Sequence, residues 1–98
     1  MESEIQKIRN AVEQFTSIMK LELYSHISTK SGWDSMELKN IYNRMFQKLN
    51  ELRLVIGCLS NPPTKEELNL IISESIDVAN FAMFMVMNAD RLYPTTPE

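Results

Sequence analysis

The chain has 98 residues, 44% of them hydrophobic, and its ten Lys and Arg against thirteen Asp and Glu give a formal charge of -3. That length fits one domain with a modest core, and that apolar content excludes a disordered chain. The acidic balance and scattered cations argue against a DNA or RNA partner, while one cysteine, Cys58, and one histidine, His26, exclude an internal disulfide and argue against a zinc site.

The first residues, Met1 to Ile5, are acidic and lack the basic-then-apolar pattern of a signal peptide, so the expected compartment is the cytoplasm. From Ile5, apolar residues fall at Ile8, Val12, Phe15, Ile18, Met19 and Leu23, spacings of three and four that predict a first helix ending near Ser25 or His26. The small polar segment from Ser28 to Gly32 predicts a loop.

Asp34 with Glu37, or Ser35 alone, offers an N-cap for a second helix. Its expected buried stripe is Leu38, Ile41, Met45, Leu49, Leu52, Val55 and Ile56, and it runs out near Gly57 or Cys58. Asn61-Pro62-Pro63 cannot continue a helix. Thr64 and Glu67 then have the spacing of a capping box, which predicts a third helix from there to about Leu92.

The pattern is all-α, a three-helix unit whose short second connection makes helices two and three antiparallel neighbours. We expect a single helical domain over residues 1–93 and a flexible C-terminal tail at 94–98. The apolar run from Ile76 to Ala89 is interrupted by Asp77, Asn80 and Asn88 and falls short of the roughly 20 residues of a membrane span, so no membrane partner is expected. Val78, Phe81, Ala82, Met85, Val86 and Ala89 give helix three more apolar surface than one neighbour covers, which predicts a helical-bundle homo-oligomer.

Glu74 and Asp77 are three residues apart and share a helix face in an otherwise apolar segment, so they need a cation, a partner or a ligand. Glu51 on helix two lies at a comparable distance from the turn, and at about 1.5 Å of rise per residue the three carboxylates reach similar heights on facing helices.

The order Lys30-x-Gly32-Trp33, a helix ending in Glu51-Leu52, a short turn, then Glu74-x-x-Asp77-Val78-Ala79-Asn80-Phe81-Ala82-Met83 resembles the MazG-like branch of the all-α nucleoside triphosphate pyrophosphohydrolases. The likeness runs from about His26 to Arg91. It implies that Glu51, Glu74 and Asp77 descend from magnesium ligands that engage a triphosphate, with release of a nucleoside monophosphate and pyrophosphate. The first family motif, E-E-x-x-E, reads here Gln47-Lys48-x-x-Glu51, so one acid of the three survives.

An ammonium cannot coordinate magnesium, so Lys48 in place of an acid changes the local charge by two units and weakens the case for a bound Mg ion. What the resemblance then implies is a nucleotide ligand without efficient metal-dependent hydrolysis, sequestered or sensed, with Lys48 and Lys30 on phosphate oxygens, Trp33, Tyr42 or Phe81 as a stacking face, and Asn80 on the base. An active magnesium-dependent pyrophosphohydrolase and a structural helical module are the alternatives. Plainer readings stand beside each residue: a surface ion pair for Lys48 and Glu51, solvated positions for Glu74 and Asp77, a bundle plug for Trp33, and a satisfied backbone or partner group for Asn80.

Overall fold

The computed structural model describes residues 2–26 and 32–92. The chain divides into two compact units, Met1–Lys30 and Ser31–Glu98. The described residues form α1 (Glu4–Ser25), a 3-10 turn (Trp33–Ser35), α2 (Leu38–Gly57) and α3 (Lys65–Leu92), with no strand among them. The all-α expectation therefore holds; the tail at 94–98 and Lys30 lie outside the described residues.

In the first unit α1 begins where its sequence says it should. Ser3 is the N-cap, its hydroxyl accepting from the Gln6 amide at 3.1 Å, and Glu4 places a negative charge in the first turn, where the helix dipole favours it. The apolar stripe is present, but no residue of α1 is buried, and Ile5 and Ile8 are 71% and 62% exposed.

The second unit is a helical hairpin. As residue number falls along α2 from Lys48 to Tyr42, its neighbour on α3 rises from Asp77 to Met85, so the two helices are antiparallel. Gly32 takes a φ of 88°, a left-handed conformation that glycine adopts without a Cβ clash, and it turns the chain into the Trp33–Ser35 segment. That segment packs on α3: the Trp33 ring stacks on Phe84 with centroids 5.0 Å apart, and Phe81 meets Phe84 edge-on at 5.8 Å. With Ile41 and Ile76 these make the core.

Two expectations are corrected here. The N-cap position of α2 is Glu37, which makes no side-chain cap bond, and Ser35 instead donates to the Gly32 carbonyl at 3.0 Å, because the 3-10 turn takes up the segment expected to cap α2. Of the seven residues expected on the buried stripe of α2 only Ile41 is buried; Leu49 and Ile56 are 46% and 50% exposed, since a single neighbouring helix shields a narrow strip of α2.

The turn between α2 and α3 follows its sequence closely. Glu67 donates its amide to Thr64 Oγ1 at 3.1 Å while its carboxylate accepts the Thr64 amide at 2.8 Å, the reciprocal capping box. The same carboxylate reaches further back, accepting the Ser60 amide at 3.0 Å and the Ser60 hydroxyl at 3.3 Å. These bonds from Thr64 and Ser60 hold the Glu67 carboxyl below its ordinary range. The Asn61–Pro62 peptide within the turn is cis.

Candidate functional site

Lys48 and Glu51 leave α2 on one face because they are three residues apart, and Glu74 and Asp77 do the same on α3. The antiparallel hairpin brings the two pairs together. Lys48 Nζ donates to Glu51 Oε2 at 3.3 Å and lies 3.4 Å from Asp77 Oδ2, so one ammonium bridges the helices. Asp77 is buried, Lys48 and Glu74 are half-buried, and Glu51 is exposed.

The electrostatics follow from this placement. Burial pulls the Lys48 ammonium towards neutrality, but the Glu51 hydrogen bond and the charges of Asp77, Glu51 and Glu74 together outweigh it, and the net shift is upward. Lys48 is therefore firmly cationic at neutral pH. Glu51 and Glu74 meet carboxyl to carboxyl across the seam: hydrogen bonding with Glu74 and then Lys48 lowers Glu51, while burial and then Glu51 raise Glu74. The two carboxyls therefore titrate as a pair, Glu74, the more deeply placed member, above its ordinary range and Glu51 below it.

Asn80 stands one turn beyond Asp77 and is 0% exposed, yet neither its Nδ2 nor its Oδ1 has a hydrogen-bond partner among the described residues. Glu74 Oε2 is likewise sealed from solvent without a hydrogen bond. Such groups are costly to bury, by roughly 1–3 kcal/mol each, so the centre of the seam carries unspent polar capacity.

The aromatic candidates separate cleanly. Phe81 is buried inside the hairpin and offers no face to a ligand. Trp33 is half-buried with Phe84 against its ring, and its carbonyl accepts from Asn88, so packing is its evident role. Tyr42 is exposed, and with Leu38, Lys39, Asn43 and Met85 it lines a shallow, mainly apolar groove of about 370 Å³. That groove lies six residues along α2 from Lys48, or about 9 Å of axial rise.

Magnesium does not fit the arrangement as it stands. Among the described residues no three Asp, Glu, His or Cys side chains come together as a set able to hold a metal ion, and Lys48 already engages Glu51 and Asp77, two of the three candidate ligands. His26 faces Glu22 at 3.1 Å on α1.

One polar node escaped the sequence reading. Asn88 is buried, donates from Nδ2 to the carbonyls of Trp33 at 2.8 Å and Phe84 at 2.7 Å, and accepts from Arg91 at 2.6 Å. Its only signal in the sequence is a polar residue inside the apolar run, one turn after Phe84. No family model, curated protein or solved structure matches the chain.

Proposed function

We propose that the chain binds a nucleotide at the Lys48 end of the α2–α3 seam and sequesters or senses it in the cytoplasm without efficient metal-dependent hydrolysis. The observation that carries the reading is the bridging ammonium. Lys48 is held cationic between Asp77 and Glu51, and its Glu51 partner is solvent-exposed and therefore displaceable by a phosphate oxygen. The groove of Tyr42 and Met85 supplies apolar and aromatic surface for a base about 9 Å away, whereas Asn80, fully buried in the hairpin, is closed to a ligand in this conformation. The resemblance to MazG-like pyrophosphohydrolases supports the ligand class, and Lys48 in place of an acid supports the loss of the metal step.

Calorimetric titration with a panel of linear and cyclic nucleotides, with and without magnesium, tests the proposal. Binding without magnesium and recovery of intact ligand is the expected result, with affinity lost in Lys48→Glu. Pyrophosphate release in magnesium would replace the proposal with an active pyrophosphohydrolase, and no binding at all would leave a structural helical module. Unchanged affinity in Lys48→Glu would remove Lys48 from the site.

A further inference from the structure

α3 is apolar on two opposite sides. One side packs on α2 and the 3-10 turn through Ile76, Phe81 and Phe84. Across the helix, Leu68, Ile72, Ser75, Ala79, Ala82, Val86 and Ala89 recur at alternating spacings of four and three, the repeat with which one helix presents a continuous seam to another. At about 100° per residue these seven fall within roughly 100° of arc. Leu68, Ile72 and Val86 are 47%, 51% and 63% exposed, Ala82 and Ala89 are exposed, and Ser75 and Ala79 are half-buried.

From Ile72 to Val86 the order of sizes along this seam reads nearly the same in both directions about Ala79, and only the outermost pair, Leu68 and Ala89, differs. When a second α3 is laid antiparallel on the first, Ala79 meets its own copy, Ser75 meets Ala82, Ile72 meets Val86 and Leu68 meets Ala89. Small residues at the centre allow close approach of the backbones, and branched residues close both ends. The charges agree with that direction. Lys65 at the start of α3 comes within about one turn, roughly 4.5 Å of axial rise, of Asp90 near the end of the other copy, twice by symmetry, whereas a parallel pair would set Lys65 against Lys65 and Asp90 against Asp90.

A lipid occupant suits the helix less well. α3 has the length and apolar composition to cross a membrane, but its other side carries Asp77, Asn80 and Asn88, buried in the hairpin. A helix lying on an anionic lipid surface needs a basic polar face, and α3 opens on Glu66 and Glu67.

We propose that two copies of the chain form an isologous dimer through the outer face of α3, antiparallel and centred on Ala79. This interface is independent of the nucleotide reading, so either can fail alone.

The test uses the full chain in a Cys58→Ser background. Ala79→Cys should form a disulfide-linked dimer under mild oxidation, while Ser73→Cys, on the other side of α3, should not. Ile72→Cys and Val86→Cys should each stay unlinked alone and link when mixed. Linkage of Ile72→Cys to itself as readily as Ala79→Cys would show a parallel pair and overturn the proposal, as would no linkage of Ala79→Cys above the Ser73→Cys control. Sedimentation of the unmodified chain should give twice the chain mass, reduced to one in Ala82→Glu with helicity unchanged. A monomeric unmodified chain, or one that sediments only with lipid vesicles, also overturns it.

Discussion

The ammonium of Lys48 lies 3.4 Å from Asp77 Oδ2, and this contact ties α2 to α3 at the height of the carboxylate cluster. Because Asp77 is 9% exposed, Lys48→Met should cost more than an ordinary surface pair, about 1–2 kcal/mol, through the charge left behind. A double-mutant cycle with Asp77→Asn, read from urea midpoints, should return a coupling of about 1 kcal/mol. A coupling indistinguishable from zero would mean that the contact does not join the helices in solution.

The glutamates divide by the sign of their pH dependence. Glu67 and Glu51 are held below the ordinary value of 4.5, so their contribution is present above that value and lost as pH falls through the lowered one. Glu74 is held above 4.5, so its contribution is present below that value and lost as pH rises through the raised one. Glu74→Gln should therefore stabilise the chain at neutral pH and do little in acid, while Glu67→Gln should flatten the acid-side loss. Denaturation midpoints across the acid-to-neutral range check both.

Asn80 should matter for stability and little for binding. Asn80→Leu replaces a fully buried amide that has no hydrogen-bond partner with an apolar group of similar shape, and should raise stability by about 1 kcal/mol. The same change should leave nucleotide binding at the Tyr42 groove intact, because Asn80 is closed to solvent. Loss of binding in the more stable variant would instead show that the seam opens to the ligand and that the base reaches beyond the Tyr42 groove.

Asn88 is the reverse case, a buried amide with its bonds made. Asn88→Ala removes the donor shared by Trp33 and Phe84 carbonyls and the acceptor for Arg91, at a cost of about 2 kcal/mol. Trp33 is the only tryptophan, so release of the 3-10 turn from α3 should appear directly as a red-shifted emission.

The parts of this architecture that depend on neighbouring residues were legible in the sequence. The Thr64 and Glu67 box, the end of α2 at Gly57 and the antiparallel hairpin all follow from short-range spacing and chain stops. The Lys48 and Glu51 pair and the common height of Glu51, Glu74 and Asp77 were legible too, from three-residue spacings and comparable distances to the turn, whereas the Lys48 contact to Asp77 emerges only in the packed hairpin. What periodicity cannot supply is which of two apolar faces has a neighbour. It gave Leu49 and Ile56 the same standing as Ile41, and counted Phe81 among the surplus of α3 when it is part of the core. Asn88 was hidden for a similar reason: its partners are carbonyls, which any sequence provides.

α2 has one buried residue, Ile41, near its N-terminal end, whereas six are buried along α3. The two helices should therefore differ in the lifetime of their amide protons. Hydrogen exchange in the C-terminal half of α2 should proceed by local opening well below the free energy of global unfolding, while the amides around Phe84 exchange last. The Lys48 contact sits within that looser half, so a ligand that closes on it would slow exchange in α2 before it changed anything in α3.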